Sequence, residues 1–166
     1  YVTVSSSGGA NDFGDLTVTN TNSNDGVLSD NTRGIVLIGS PSQEQGKLEF
    51  ITIPTTGNSN VFGELSVPRR HAATMASPTR GVFATGKNDT TSTYLKVIDF
   101  VIIQTQGTAV TFGEISTDGR EQAVGAGNKT RGLIAGGLEN PTPYQSIDFI
   151  TLATEGNGQD FSDLAA

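Results

Sequence analysis

The sequence predicts an all-β protein built from about three copies of one motif of roughly 49 residues. Three short patterns recur in a fixed order at a constant spacing, which is typical of repeat architectures. The 166-residue chain contains 21 glycines and only 34% hydrophobic residues, a composition that favours short strands joined by tight turns. An apolar period of 3.6 residues is not sustained in any window, so the sequence does not predict a helix.

The first pattern is a phenylalanine followed by a small, an acidic and an aliphatic residue. Its rings lie 49, 50 and 49 residues apart, at Phe13, Phe62, Phe112 and Phe161. The aliphatic partner favours burial between sheets, and stacking on a sugar ring is the alternative. The acids between ring and aliphatic partner are expected to face solvent or backbone N–H groups, and are Asp15, Glu64, Glu114 and Asp163.

The second pattern is Thr-Arg-Gly followed by an apolar run that ends in glycine. Its arginines are Arg33, Arg80 and Arg131. They can form a ring that binds an acidic glycan, or each can fix its own sheet by pairing with an acid or with strand-end carbonyls. The structural role is favoured, because a residue present in every copy usually has the same duty in every copy.

The third pattern is an apolar run with an acid near its middle. The acids, which are the expected partners of those arginines, are Glu49, Asp99 and Asp148. The alternation in Ile51-Thr52-Ile53 has the period of two that is typical of a strand with one covered face. Each run leads through a Thr/Gly/Asn turn into the next Phe-Gly segment, as a hairpin requires.

These patterns predict four short antiparallel strands in each copy. In the middle copy we expect them at residues 70–76, 81–85, 97–103 and 111–116. One such sheet buries too little apolar surface to offset the chain entropy lost on folding, so the copies must stack face to face. The repeat length favours propeller blades over the shorter coils of a solenoid. The predicted divisions are a partial blade at 1–19 and blades at 20–68, 69–118 and 119–166.

The predicted number of blades is too small for a closed propeller, which uses four to eight. Residues 1–4 and 8–11 add only the tail of a further copy. The chain is therefore part of a longer array, completes a ring with other subunits, or forms an open stack. Because an open stack exposes strand edges and sheet faces, we expect a multimer or a larger parent protein.

The order of these patterns resembles the kelch repeat. The shared features are the acid in the third strand, the Gly-Asn turn, the aromatic residue with its aliphatic partner, and a following arginine at Arg70 and Arg120. The family's double glycine is present only at Gly136-Gly137, and phenylalanine replaces the blade tryptophan. The resemblance implies a kelch-like β-propeller.

The more particular combination of Thr-Arg-Gly, Ile-Asp-Phe-Ile-Thr, Gly-Asn and Phe-Gly-Asp-Leu is similar to repeats in virion structural proteins of marine tailed phages, cyanophages especially. This resemblance implies a noncatalytic structural or adhesive tail, fibre or capsid-surface component in a virion or extracellular location. Its implied partners are the chain itself, other virion proteins and, for host attachment, a surface glycan. The alternative is a glycan-binding, lectin-like propeller outside a virion.

Composition argues against several other functions. The formal charge of −7 repels phosphate backbones, so nucleic acid is not an expected partner. The absence of cysteine removes disulfides, thiolate metal sites and cysteine nucleophiles. The sequence contains no apolar stretch long enough to cross a bilayer, and membrane insertion is not expected. No cofactor is predicted.

No catalytic or metal site is predicted either. His71 is the single histidine, and we expect it to be solvated or hydrogen-bonded rather than a metal ligand. Residues 20–32 suggest a calcium loop, but Thr32 stands where a bidentate glutamate belongs. The chain lacks a Gly-x-Ser-x-Gly elbow, and an enzyme on this scaffold would need an asymmetric cluster of acids or bases that the sequence does not reveal.

Ligand binding is expected in the segments that differ between copies, because functions are usually grafted onto the connections of a repeated scaffold. These variable segments are residues 20–30, 41–47, 87–96 and 138–145. Tyr144, beside two prolines, is a candidate for a rigid aromatic contact. Arg70 and Arg120, the arginines of the kelch-like pattern, are the other ligand-binding candidates.

Overall fold

The computed structural model describes residues 1–2, 5, 8–19, 25–40 and 45–165. These residues form strands, turns and loops without a helix, so the predicted all-β class is confirmed. It follows that the described residues contain no helix that could cross a membrane. The strands build three four-stranded antiparallel sheets, and each sheet is formed by one continuous stretch of the chain.

Sheet 1 is a meander in which each strand pairs with its neighbours in sequence. Its strands β1 to β4 cover Val27–Ser29, Arg33–Ile38, Lys47–Thr52 and Asn60–Glu64. The predicted variable segment at 41–47 lies in the β2–β3 connection, where residues 41–44 are outside the described part of the chain. The same holds for residues 20–24 of the failed calcium-loop match.

Sheet 2 repeats this order and adds a small hairpin before its third strand. Strands β5 to β10 cover Ala73–Ala76, Arg80–Ala84, Lys87–Asn88, Thr93–Tyr94, Val97–Ile102 and Val110–Glu114. Strands β7 and β8 pair only with each other, and the sheet has the order β5-β6-β9-β10. Three of the four strands predicted for this copy agree within two residues, whereas the first begins three residues later than expected.

Sheet 3 has the same construction, with the order β11-β12-β15-β16 and a separate β13–β14 hairpin. Strands β11 to β16 cover Val124–Gly127, Arg131–Ala135, Leu138–Glu139, Thr142–Pro143, Ser146–Thr151 and Gln159–Asp163. The segments 87–96 and 138–145, predicted as variable connections, therefore contain the hairpins. Their two-residue strands are too short to show a period in the sequence.

The three sheets are stacked, and each has two distinct faces. We call the face that bears the phenylalanine of the fourth strand the front face, and the opposite one the back face. The front face of sheet 1 packs on the back face of sheet 2 through residues that include Leu48, Phe62 and Val101. The front face of sheet 2 packs on the back face of sheet 3 through Phe100, Phe112 and residues such as Leu152.

Sheet 2 is consequently covered on both faces. In β6, Val82 and Ala84 point into the core shared with sheet 3, while Phe83 points into the core shared with sheet 1. All three side chains are fully buried. Alternation of two apolar faces along one strand is the arrangement expected for a sheet packed between two others. The stacking inferred from the weakness of a lone sheet is therefore present within the chain.

Candidate functional site: the interface between sheets

The recurring phenylalanines mark the interface between sheets, and each one contacts a second aromatic ring. Phe62 meets Phe50 edge to face with ring centroids 6.2 Å apart, and Phe112 meets Phe100 at 6.0 Å. Edge-to-face pairs at this distance are favourable beyond their burial. Phe62 and Phe112 are 3% and 4% exposed, in agreement with packing between sheets, whereas Phe161 is 55% exposed. Phe13 is half-buried.

A pair of backbone hydrogen bonds, which we call the clasp, joins the fourth strand of one sheet to the turn after the third strand of the next. The Phe62 carbonyl accepts from Gly107 N at 2.9 Å, and the Glu64 carbonyl accepts from Ala109 N at 2.8 Å. The carbonyls of Phe112 and Glu114 accept in the same way from Gly156 N and Gly158 N. The clasp explains why the Phe-Gly-acid segment recurs with the Gly-containing turn.

The glycine after each buried phenylalanine is required by this close approach. A Cβ on Gly63 would lie well inside contact distance of the Gly107 carbonyl oxygen, and a Cβ on Gly113 would meet the Gly156 carbonyl in the same way. Both obstacles are backbone atoms, which cannot turn aside as a side chain can. In the fourth copy of the pattern this glycine is replaced by Ser162.

The N-terminal segment forms the same contacts with sheet 1. Tyr1 and Phe13 meet edge to face at 6.2 Å, as the phenylalanine pairs of the sheets do. The Phe13 carbonyl accepts from Gly57 N at 2.8 Å, and the Asp15 carbonyl accepts from Ser59 N at 2.9 Å. The contacts of this segment with sheet 1 therefore repeat those of the end of sheet 1 with sheet 2.

The acid in the middle of the third strand of sheet 2 bonds the serine that follows sheet 1 and an arginine in the connection between the two sheets. Asp99 accepts from Ser66 N at 3.0 Å, from Ser66 Oγ at 2.7 Å and from Arg69 at 2.9 Å. Both Arg69 and Asp99 are fully buried. Burial lowers the pKa of the Arg69 guanidinium, while the charge and hydrogen bond of Asp99 oppose that change.

Asp148 has the equivalent position in sheet 3. It accepts from Ser116 N at 2.9 Å, from the Ser116 hydroxyl, from Thr117 and from Arg120 at 2.9 Å. Burial alone would raise the pKa of the Asp148 carboxyl, but the hydrogen bonds from Ser116 and Arg120 and the charge of Arg120 outweigh burial and lower it below its ordinary value. In sheet 1 the acid is Glu49, which accepts from Thr17 N at 3.0 Å and from the hydroxyls of Thr17 and Ser59.

The structure corrects one correspondence between copies. Counting from the phenylalanine aligned Arg70 with Arg120, but the buried partner of the acid in sheet 2 is Arg69. The segment between the serine and the arginine is Val67-Pro68 before sheet 2 and Thr117-Asp118-Gly119 before sheet 3. Because the first is one residue shorter, counting a fixed distance from the phenylalanine picks the wrong arginine. Arg70 is instead partly exposed and pairs with Asp89 at 3.1 Å.

The arginines of the Thr-Arg-Gly pattern have a different role from the one shared by Arg69 and Arg120. Arg80 stacks over Phe100 at 4.4 Å and donates to the Leu152 carbonyl of sheet 3 at 3.2 Å. Arg33 likewise stacks over Phe50 and donates to the Ile103 carbonyl of sheet 2 at 2.9 Å. The expected pairing of these arginines with Asp99 and its equivalents is therefore wrong, and the alternative of strand-end carbonyls describes Arg33 and Arg80.

A polar network that does not follow the repeat crosses all three sheets before their first strands. His71 Nδ1 lies 2.7 Å from the Glu121 carboxylate, and both side chains are largely buried. The His71 backbone N–H donates to Asp25 at 3.1 Å, and Arg70 joins Asp89. These contacts link the segments that lead into neighbouring sheets, while one Asp25 carboxylate oxygen and Arg70 Nε have no hydrogen-bond partner among the described residues. His71 is hydrogen-bonded, as expected.

Sequence reasoning missed this asymmetric cluster because its members come from different copies and their residue types are not repeated from copy to copy. The available signal was that Arg70, His71 and Glu121 are charged or titratable residues placed directly before predicted first strands. Among the described residues, no three His, Asp or Glu side chains are grouped to hold a metal ion.

The remaining ligand candidates, Tyr144 and Arg120, lie together at the open end of the stack. The Arg120 guanidinium faces the Tyr144 ring at 5.6 Å, and the Tyr144 hydroxyl donates to Glu139 at 3.2 Å. Partial burial, followed by the hydrogen bond to Glu139, raises the pKa of the Tyr144 hydroxyl. Arg120 itself is fully buried by Asp148, so only Tyr144 of this pair is accessible to a ligand.

No protein-family model matches the chain, and no curated protein matches it.

Proposed function

We propose that this chain is a noncatalytic β-propeller-type module that works by assembly, as a structural or adhesive component of a phage particle. One observation carries the assembly role. The described residues build the same face-to-face interface twice, and the front face of sheet 3 carries the same aromatic and aliphatic residues with no described sheet upon it. A surface of that kind is typical of proteins that stack on a partner.

The use of the polar residues supports a structural role over catalysis. The buried aspartates hold neighbouring segments of the stack together, because Asp99 and Asp148 each accept from the serine that follows the preceding sheet and from an arginine in the connection into their own sheet. The His71–Glu121 pair is also buried in a bond between such segments. Acid–base catalysis instead needs a titratable group that a substrate proton can reach, and these buried, bonded groups do not offer one.

The phage assignment rests on the likeness of the repeated patterns to marine tailed-phage virion proteins. Immunogold electron microscopy of purified cyanophage particles, with antibodies raised against this chain, tests it. We expect label on the tail, on fibres or on the capsid surface. Label confined to host cells, with particles unlabelled, would contradict the proposal.

A lectin-like role is the second candidate, and a depression across the three sheets favours it. Its volume is about 500 Å³, and it is lined by the turns between first and second strands, including Asp30, Asn31 and Lys129. Hydroxyl, amide and carboxylate groups of this kind bind sugar hydroxyls. A glycan array separates the two roles, since saturable binding that Asn31→Ala and Lys129→Ala abolish would favour the lectin, and no binding would favour the scaffold.

A further inference from the structure

We propose that the front face of sheet 3 binds the back face of a further sheet of this repeat, through a weaker interface than the two inside the chain. The inference deepens the proposed function, because it names the partner of the assembling surface. The partner is a four-stranded sheet with aliphatic residues on the back of its third strand and a turn that can donate two backbone N–H groups.

The apolar residues of this front face correspond to buried residues of sheet 2. Phe161 and Leu164 are 55% and 44% exposed, whereas Phe112 and Ile115, at the same places in sheet 2, are both 4% exposed. Phe161 meets Phe149 at 6.2 Å with an interplanar angle of 80°, nearly the geometry of the buried pair in sheet 2. The rings therefore already have the arrangement that a back face covers elsewhere in the chain.

Arg131 indicates the same partner. It stacks over Phe149 at 4.6 Å, as Arg80 does over Phe100 at 4.4 Å. Arg80 also donates to a carbonyl at the end of the third strand of the next sheet. The described residues include no sheet that could offer Arg131 such a carbonyl, and a further back face would supply one.

A cleft beside Tyr144 fits the connecting segment of such a sheet. It has a volume of about 560 Å³ and is lined by residues 116–118 and 142–146 and by Asp163. The hairpin of sheet 2 has a place that corresponds to this cleft, and the segment connecting sheets 2 and 3 fills it. In that segment Gly119 lies so close to the hairpin that a Cβ would collide with the Tyr94 carbonyl. Lys96 reaches the same connecting segment through Asp118 at 3.2 Å.

The back face of sheet 1 in a second copy is a poorer partner. The segment around Phe13 and Asp15 already occupies the clasp of that face through Gly57 and Ser59. A fourth strand from another chain would have to displace it. A repeat sheet whose clasp is vacant fits the front face of sheet 3 without this competition.

Two substitutions make the proposed interface weaker than the internal ones. Ser162 has the position of Gly63 and Gly113, whose lack of a Cβ lets a carbonyl of the next sheet approach closely. The Cβ of Ser162 would therefore keep a following sheet at a greater distance. Ala165 stands where the Ser66 and Ser116 hydroxyls bond the third-strand acid of the next sheet. Both changes remove elements that the internal interfaces share.

The test attaches a copy of residues 68–118 after residue 166, which keeps the repeat register and presents the partner at high effective concentration. The chain lacks cysteine, so Leu164→Cys introduces one thiol on the front face of sheet 3. We expect its rate of reaction with a maleimide to fall about tenfold or more in the extended chain. Val110→Cys, on an exposed edge of sheet 2, is the control that should react equally in both chains.

An equal rate for the Leu164→Cys thiol in both chains would overturn the proposal, including the case in which the added repeat does not fold. The weakness of the interface is tested by Ser162→Gly with Ala165→Ser, which should protect the thiol a further several-fold in the extended chain only. If the double substitution gave the thiol no additional protection, the claim that Ser162 and Ala165 weaken the interface would be overturned. Neither result depends on particles, so failure here is distinguishable from failure of the immunogold test.

Discussion

Sheets 2 and 3 carry nearly the same pattern, yet the same residues have different environments in them. Phe112 and Phe161 each follow a third-strand phenylalanine partner, and each ring pair meets edge to face. Phe112 is buried because sheet 3 covers it, whereas Phe161 is exposed because the described chain places no sheet beyond it. Burial in this molecule is therefore a property of the interface between sheets, and a sheet alone does not provide it.

The largest effect expected from this comparison is on the two phenylalanines. Phe112→Ala should lower the free energy of unfolding by about 3–5 kcal/mol, because it leaves a cavity between two packed sheets. Phe161→Ala should cost less than about 1 kcal/mol, since most of the ring already contacts water. Urea unfolding followed by circular dichroism measures both, and equal losses of stability would contradict the claim that stacking on sheet 3 makes Phe112 the more important ring.

Each buried ion pair joins the third strand of a sheet to the connection that leads into that sheet, and breaking one of them should have the next largest effect on stability. Asp99→Ala should cost about 3–5 kcal/mol, because it leaves the Arg69 guanidinium buried without its partner. The control is Asp118→Ala, which removes the exposed pair with Lys96 and should cost about 1 kcal/mol or less. Thermal unfolding measures the loss of stability in both variants. A loss for Asp99→Ala as small as that for Asp118→Ala would contradict the stabilising role of the buried ion pair.

Lowering the pH should weaken the contact between sheets 2 and 3. The pKa of Asp148 is lower in the folded chain than in the unfolded one, so its stabilisation is present above the ordinary aspartate pKa and is lost as pH falls through the folded value. Asp148→Asn should be less stable at neutral pH and lose less stability on acidification. Urea midpoints between pH 7 and pH 2 test this, and parallel curves for the two proteins would refute it.

The residue after the phenylalanine also differs between sheets 2 and 3, being Gly113 in one and Ser162 in the other. Gly113→Ala should destabilise by about 1–3 kcal/mol, since its Cβ has no room against the Gly156 carbonyl of sheet 3. Ser162→Gly changes the same position where the described chain has no sheet opposite, and only the greater freedom of glycine acts there. That cost should be about 0.5–1 kcal/mol, and a larger one than for Gly113→Ala in calorimetry would contradict the close-approach argument.

The smallest effect is expected from the arginines that stack on phenylalanine. Arg80→Ala should cost about 1.5–2 kcal/mol, because it removes a charged hydrogen bond to the Leu152 carbonyl and an ion pair with Glu155 at 3.7 Å as well as the stacking contact. Arg131→Ala removes stacking alone and should cost about 0.5–1 kcal/mol. The difference between the two unfolding free energies is the test, and its absence would show that the contacts of Arg80 with sheet 3 contribute nothing.

The sequence predicted the repeat, the strands and the stacking, because these follow from local periodicity and from the weakness of a small sheet. It did not predict that Arg69 is the counterpart of Arg120, since a one-residue difference in a connection is invisible to fixed spacing. The β7–β8 and β13–β14 hairpins were missed because two residues cannot show a period.

The exposure of Phe161 could not be read from its neighbours, since its local sequence closely resembles that of the buried Phe112. What differs is the covering: sheet 3, about fifty residues further along, covers Phe112, whereas no described sheet covers Phe161. The His71–Glu121 contact was hidden for a related reason, because it joins connections of two copies that share no pattern at those positions.

Amide hydrogen exchange tests most directly whether stacking holds the sheets together. Strands β6 and β12 each pair with a strand on both sides, so their hydrogen-bond ladders are equivalent, but only β6 is covered on both faces. The stacking account predicts the slowest exchange in β6 and β9 and clearly faster exchange in β12 and β15. Equal protection of the two sheets, or slower exchange in sheet 3, would contradict it.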